Sequence, residues 1–500
     1  MRRLAPLLAL TLLARPAAAR ETKAVAPLLA LIETVEANYA GDPAATHDDL
    51  LKSAMGGMVA SLDRYSEFLD QQKYKDLQED TKGSFGGIGI EIGFVSGRLS
   101  VIAPIEGTPA DKAGLLGGDI IAFINGTPTD DMKIMDAVHR IKGPPGTRVT
   151  ITIQRESVPM KDYVLVRGLI TPVNIRDTVV DGMGYVTIRS FSEHTADLLA
   201  EALDGFTKSG CTGVILDLRS NPGGLLNEAS HVVDLFLPFG SPIVSTEGRD
   251  PQQRVQYFAR NKEPFHLPVV VLTNEHSASG SEIVAGALKD TGRAVVMGRR
   301  TFGKGSVQNI TPISHDRMLA VRLTIAKYYT PRHNEIHEVG IEPDVTLPPV
   351  RYPSGLRKFQ EEGSFNRFAL EALPQAAGGG TPGATAWLDG RAFAEGRLVG
   401  SARDTDSLKV DTRLGAEFRR WAESKGLIVT DEVWEDERSV VVEQVRIAQM
   451  RKVKGEEGAR KFAVEFDPQV KAAVALLKLA VRGAPGSALK PAGHAAAPAP

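Results

Sequence analysis

The chain has 500 residues, 42% hydrophobic and 24% charged, with a formal net charge of −2. That length exceeds what one hydrophobic core organises, so about two to four domains are expected. The composition is that of a soluble globular protein, and the near-neutral balance excludes the basic surface on which bulk binding to nucleic acid depends.

Arg2 and Arg3 precede a short apolar run, Leu4 to Leu13, and then Ala17-Ala18-Ala19. This is the order of a secretory signal peptide, so residues 1–19 are expected to be removed near Ala19 and the mature chain to work in the periplasm or outside the cell. Later in the chain no apolar run reaches the roughly 18 residues of a membrane span, so none is expected after cleavage. Cys211 is the only cysteine. No intramolecular disulfide can form, and Cys211 reads as a small buried residue in a fold held together by core burial.

Residues 22–82 carry Leu28, Leu29, Leu31, Ile32 and Val35, then Leu51, Met55, Met58 and Leu62, at helical spacing. They predict a helical region that caps the next domain or supports dimerisation. From Gly83 the texture turns Gly-rich and strand-like, with a turn at Asn125-Gly126, a helix around Met132 to Ile141, and a strand pair, VTITIQRE and DYVLVRG, ending near Gly168. Residues 83–168 therefore read as a small domain of their own. Residues 169–350 alternate strand and helix: MGYVTIRSF, HTADLLAEALDGF, TGVILDLRS, EASHVVDLFL, PVVVLTN, SEIVAGALKD and AVVMGRR. The continuous apolar strands imply an α/β layer with both sheet faces covered. Residues 351–480 are partly helical, with a Gly-rich linker at 376–383, and residues 481–500 read as a disordered tail.

The ten histidines are scattered without an HExxH or paired cluster, so no metal site is expected. Gly298 to Lys304 approaches a phosphate loop, but Gly305 stands where that loop needs Ser or Thr, and a strand follows instead of a helix. No cofactor is expected. The segment from Thr273 to Glu282 lies where a buried strand meets a helix, which exposes a nucleophile at the sheet edge beside free helix N–H groups. Ser279 is the candidate, although Ser279-x-x-Glu282 also matches a capping box. A serine nucleophile needs a base. His276 has no assured direction toward it, whereas Lys304 sits in a frame of small residues, and a lysine amine becomes a base when burial lowers its pKa. Gln308 lies four residues on, on the same face of a strand, able to orient that amine. The turn Asn221-Pro222-Gly223-Gly224 supplies backbone N–H groups suited to an oxyanion, and is also simply a good turn.

In these residues the chain resembles the carboxy-terminal processing, or tail-specific, proteases. The resemblance is collinear over about two-thirds of the chain: SLDRYSEFL (61–69), GSFGGIGIEI (83–92), EGTPADKAGLLGGDIIAFING (106–126), VILDLRSNPGG (214–224), SASGSEIVAGALKD (277–290), TFGKGSVQ (301–308) and VGIEPD (339–344). It implies a multidomain α/β and α+β chain: an N-terminal helical segment, a PDZ domain at 83–168, a crotonase/ClpP-like serine protease core at 169–350, and a mostly helical C-terminal extension. It implies Ser279 as nucleophile, Lys304 as general base and Gln308 as its orienter. The backbone N–H groups of Gly223 and Gly280 would form the oxyanion hole, and the loop Gly87, Ile88, Gly89 and Ile90 would hold the substrate's terminal carboxylate. The family often has Ala where this chain has Gly280, and glycine is expected to loosen the turn that holds Ser279. The stretch from Arg351 to Phe466 is longer than the family pattern, before DPQVKAAVALLKLA resembles its closing helix.

The resemblance further implies protein or peptide substrates with apolar C-termini, a homo-oligomer and an adaptor protein. The rival readings are a catalytically inactive PDZ-type adaptor and an acyl-binding protein on the related crotonase-like scaffold. The Ser-Lys-Gln set and the PDZ-like unit argue against the second.

Overall fold

The computed structural model describes residues 18–41, 46–95, 97–155, 158–314, 318–349, 359, 363–371, 405–427 and 430–483. Most of the expected signal peptide, the linker at 376–383 and the tail from 484 onward lie outside the described residues. The chain divides into two units, Met1–Asp76 with Val307–Ile325, and Leu77–Ser306 with Ala326–Pro500.

The helical spacing of residues 22–82 becomes helices Ala18–Asn38, His47–Ala60 and Gln71–Lys82. Thr46 starts the second by accepting from Asp49 N–H, one of the groups a helix start leaves without an internal partner. In the first unit, strand Glu67–Leu69 pairs antiparallel with residues 320–322. Val59, Phe68 and Leu319 form its core, with Met55, Val321 and Leu323 packed around them.

In the second unit, an antiparallel sheet runs in the order Ile90–Val95, Arg98–Pro104, Ile120–Ile124, Arg148–Arg155, Val158–Val166. Asn125 and Gly126 both take positive φ, 49° and 77°, as a tight hairpin turn requires. Helix Ile134–Ile141 packs Ala137 and Ile141 into the same core as Ile88, Val101, Ile121 and Ile151. Strand Phe85–Gly87 pairs with Gly168–Ile170 and brings the two ends of this module together.

The α/β layer is a six-stranded sheet in the order Ile175–Val180, Met183–Ile188, Val214–Asp217, Val269–Thr273, Ala294–Gly298, Val345–Thr346. The first pair is antiparallel and the remaining pairs are parallel. Every residue of the three strands Val214–Asp217, Val269–Thr273 and Ala294–Gly298 is buried, which is why they read as unbroken apolar runs instead of alternating ones. Ile215, Val270, Leu272, Val295 and Met297 share a core with Val470, Ala473, Val474 and Leu477 of helix Pro468–Gly483. The helix that covers one face of this sheet therefore arrives from the far end of the chain. It runs to Gly483, past the point where a disordered tail was expected to begin.

A polar anchor fixes the start of that helix. Arg219 bonds Asp217, the last residue of strand Val214–Asp217, and also Asp467 (2.8 Å) and Gln469 (2.9 Å). Burial opposes the guanidinium charge, but Asp217 and Asp467 outweigh it and hold the Arg219 pKa above its ordinary value. Tyr185 donates to Asp217 (2.7 Å), and burial with that neighbouring charge pushes its hydroxyl up.

The C-terminal extension has a separate core of Phe359, Phe365, Phe368, Leu414, Phe418, Val441 and Val445, carried by helices Ser364–Glu371, Thr405–Ser424 and the first part of Asp431–Phe466. That last helix is interrupted at Gly455, with φ 70° and ψ −172°. Among the described residues no helix is long and apolar enough to cross a membrane.

Leu477 is fully buried against the sheet, so Leu477→Ala leaves a cavity under the α/β layer. It is expected to cost about 2–5 kcal/mol of stability, read as a lowered urea midpoint.

Candidate active site

Strand Val269–Thr273 delivers the chain into a short turn, and helix Gly280–Asp290 leaves it. Between them Ser279 has φ 54° and ψ −111°. An ordinary helix-capping serine takes extended backbone angles. A non-glycine residue in this region is strained, by about 1–3 kcal/mol, and persists only where its surroundings hold it there. Ser277 and Ser281 on either side give their hydroxyl protons to the backbone oxygens of Leu218 (2.8 Å) and Asn221 (3.0 Å). Two serines of the triplet thus stitch the segment to the turn after strand Val214–Asp217, and the third stands at the strained position.

What holds Ser279 is Glu282, fully buried one turn into the helix. One carboxylate oxygen accepts from Ser279 N–H (2.8 Å) and Lys304 N–H (2.8 Å). The other accepts from Gly303 N–H (2.7 Å) and the Thr301 hydroxyl (2.6 Å). The backbones of the candidate nucleophile and the candidate base therefore lie within hydrogen-bond reach of a single oxygen atom. Burial pushes the Glu282 pKa up, opposed by the bonds from Thr301, Gly303, Ser279 and Lys304. Sequence reasoning saw Glu282 only as half of a capping box, and that half is present in the Ser279 bond. The other three donors lie about twenty residues on, where no local pattern announces them.

The turn Asn221-Pro222-Gly223-Gly224 packs directly on Ser279. A Cβ on Gly223 would stand 2.7 Å from that of Ser279, so glycine is the residue that fits, and its φ of 102° also favours glycine. Its N–H donates to the side-chain oxygen of Asn221 (2.8 Å), whose amide in turn donates to Ile188 O (2.8 Å). Asn221 is thus a second residue that the sequence reading used only as part of a turn. Gly280 opens the helix, and the ring of Phe191 occupies the space a side chain there would take.

Gln308 lies in strand Ser306–Ser314, in the first unit, where it donates to Thr324. His276 is exposed. Cys211 is buried and its thiol is pushed up by that burial, which disfavours the reactive thiolate.

Gly87, Ile88, Gly89 and Ile90 line a narrow cleft of about 60 Å³ with Phe85, Ile92, Val138, Ile141 and Lys142. The side chains of its walls are apolar except for Lys142. Lys142 lies over the Phe85 ring, 4.3 Å from its centroid, and pairs with Glu79 at 3.2 Å. A larger, open hollow lined by Asp130, Asp131, Asp136, His139 and Arg140 holds none of the residues singled out in the sequence.

The profile of peptidase family S41 matches residues 182–347, and that of the PDZ domain matches residues 100–155. A carboxy-terminal-processing protease of Bartonella bacilliformis is 41% identical over 325 residues, 63% of this chain and 73% of that protein. The chain belongs to the carboxy-terminal-processing protease family. The carboxy-terminal processing protease CtpA of Bacillus subtilis is 37% identical over 300 residues, 60% of this chain and 64% of that one. Among solved structures, a photosystem II D1 C-terminal processing protease is similar at 30% identity over 65% of this chain and 88% of that chain, with a TM-score of 0.40. The family is one of serine-type peptidases, and the matched segment contains Ser279, Glu282 and Lys304.

The resemblance set Gly280 apart, with the expectation that it loosens the turn that holds Ser279. At this helix start the Phe191 ring packs against Gly280 and the Glu282 carboxylate bonds Ser279 N–H. Replacing Glu282 tests how much the site depends on that tie. In Glu282→Gln one end of the amide carries N–H and faces at least one backbone N–H, so a bond is lost and donors oppose each other. Catalytic efficiency is expected to fall about 10- to 100-fold, measured with a peptide reporter.

Proposed function

We propose that this chain is an exported serine endopeptidase that captures apolar C-terminal tails of protein substrates in its PDZ cleft and cleaves near the C-terminus with a Ser-Lys dyad. The observation that carries the reading is the shared Glu282 oxygen, which ties the backbones of Ser279 and Lys304 to one point. The flanking serines spend their hydroxyls on backbone carbonyls, which favours Ser279 as the nucleophile of the triplet.

In the proposed reaction, Ser279 Oγ attacks the scissile carbonyl while the neutral Lys304 amine takes its proton. The ammonium then protonates the leaving amine as the tetrahedral intermediate collapses to an acyl-enzyme. Water, deprotonated by the same amine, attacks the ester, and collapse returns the proton to Ser279. Gln308 accepts a hydrogen bond from the amine and holds its lone pair toward Ser279. The backbone N–H groups of Gly280 and Gly223 stabilise the oxyanion. For Gly223 this requires release from the Asn221 side chain, a rotation that the two glycines of the turn permit. No metal or cofactor takes part.

The tail is proposed to enter as an added strand beside Ile90–Val95, with its terminal carboxylate at the loop Gly87 to Ile90 and its last side chain among Ile88, Val138 and Ile141. Work in the periplasm or outside the cell, as a homo-oligomer and with an adaptor protein, belongs to the same proposal.

The dyad is tested with an unstructured reporter ending in apolar residues. Wild type is expected to cut it, and Ser279→Ala and Lys304→Ala to lose at least about 1,000-fold in kcat while still binding the tail. Equal cutting by all three proteins overturns the assignment. A wild type that binds the tail but neither cuts nor reacts with a fluorophosphonate supports the inactive-adaptor reading.

Capture is tested separately. Val138 is half-buried on the cleft wall, so Val138→Glu places a charge where the last apolar side chain would sit. KM for the reporter is expected to rise at least about tenfold, with kcat at saturation little changed.

A further inference from the structure

The stretch Ser61-Leu62-Asp63-Arg64-Tyr65-Ser66 has no part in the reaction described so far, yet it is built around one carboxylate. Asp63 accepts from Tyr65 N–H (2.7 Å), Ser66 N–H (2.8 Å) and the Ser66 hydroxyl (2.7 Å). Ser66 Oγ also accepts from Thr324 N–H (3.1 Å). One connection leads onward. The Thr324 hydroxyl donates to Asp63 Oδ1 (3.2 Å), and Gln308 Nε2 donates to Thr324 Oγ (3.4 Å). All these residues belong to the first unit. Burial works against the Asp63 charge, but the bonds from Ser66, Tyr65 and Thr324 outweigh it and hold the carboxyl below its ordinary range.

The direction of these bonds follows from the chemistry of the groups. An ionised carboxylate only accepts, so Thr324 must give its single proton to Asp63. The Thr324 oxygen is then left as an acceptor, and of the two ends of the Gln308 amide only the NH₂ end satisfies it. A glutamine amide is nearly symmetric in shape, and it is the surrounding network that decides which way round it stands.

We propose that Asp63, acting through Thr324, is a positioning residue that sets the orientation of the Gln308 amide and so makes its carbonyl oxygen the end offered to the Lys304 amine. The proposal rests on the role given to Gln308 above. With the amide reversed, an N–H group would meet the amine and engage the lone pair that must take the proton of Ser279. Asp63 thereby acts on Gln308 through two relayed hydrogen bonds and without touching substrate.

The test is a mutant cycle on kcat in the full chain, with the apolar-tailed reporter. Thr324→Val removes the hydroxyl relay, keeps the side-chain shape and leaves the Asp63 turn its three local bonds. It is expected to lower kcat about three- to tenfold with KM within about twofold, and Thr324→Ser to restore wild-type kcat. In a Gln308→Ala background, Thr324→Val is expected to change kcat no further, because both act on one group. Asp63→Ala removes the acceptor of the Thr324 hydroxyl, so its kcat should fall at least as far as that of Thr324→Val. It therefore also serves if the valine variant fails to fold.

Wild-type kcat in Thr324→Val or in Asp63→Ala overturns the proposal, and so does an undiminished loss on top of Gln308→Ala. The latter is what a merely structural role would give. If Gln308→Ala itself keeps wild-type kcat, the assignment of Gln308 fails and the relay falls with it. If Gln308→Ala is impaired and Thr324→Val is not, only the link to Asp63 is lost.

Discussion

A carboxylate with no exposed surface is costly to bury unless hydrogen bonds replace its water, and the site depends on how Glu282 meets that condition. Its four donors come from Ser279, the proposed nucleophile, and from Thr301, Gly303 and Lys304. Each carboxylate oxygen receives two of them. The dependence runs both ways: the charge is held because the two segments are adjacent, and the segments stay adjacent because leaving the charge short of donors is worse. The strained backbone of Ser279 is one of the things this arrangement supports. Strain at one residue persists when its neighbours over-determine it, and here the N–H of the strained residue is itself one of the bonds to the buried charge.

The turn proposed to hold the oxyanion follows a different logic. Asn221 holds the turn by donating to Ile188 and by accepting from Gly223 N–H, so in this structure a backbone donor expected to face the substrate is satisfied within the protein. A donor with an internal partner costs nothing while the site is empty. It becomes available to a developing oxyanion only if the charge-assisted bond it gains exceeds the neutral one it gives up, and such bonds are roughly twice as strong. The turn is therefore consistent with a site whose final donor is engaged by substrate rather than standing ready.

Much of this architecture was legible in the sequence, for identifiable reasons. The strands Val214–Asp217, Val269–Thr273 and Ala294–Gly298 are covered on both faces, which writes them as continuous apolar runs between turn residues. Ser279 was legible because a strand-to-helix junction is a local feature. Its capping-box pattern with Glu282 was legible too, but it accounts for one of four bonds. The others join residues distant in sequence, and no spacing rule encodes them. The turn at Gly223 was readable from its composition, whereas the direction of its N–H depends on the rotamer of Asn221. In the same way SLDRYS was recognisable as a motif, while its connection to Thr324 exists only through the pairing of residues 320–322 with Glu67–Leu69.

The helix that covers the peptidase sheet shows why the long extension did not obscure the fold. Helix Pro468–Gly483 contributes Val470, Ala473, Val474 and Leu477 to the sheet's core and is anchored at Arg219 by Asp467 and Gln469. Between the sheet's last strand, Val345–Thr346, and this helix lies the whole extension. For a flexible connection, each doubling in length costs only about 0.6 kcal/mol of closure entropy, less than one buried leucine contributes. Much of the connection is also not a loop, because Phe365, Phe368, Leu414 and Phe418 give it a core of its own. A chain can therefore carry a long insertion here while its last helix still returns to the sheet. The physical requirement is not the length of what intervenes but the apolar face and the polar anchor waiting at the sheet, and both are built from residues inside the matched peptidase segment.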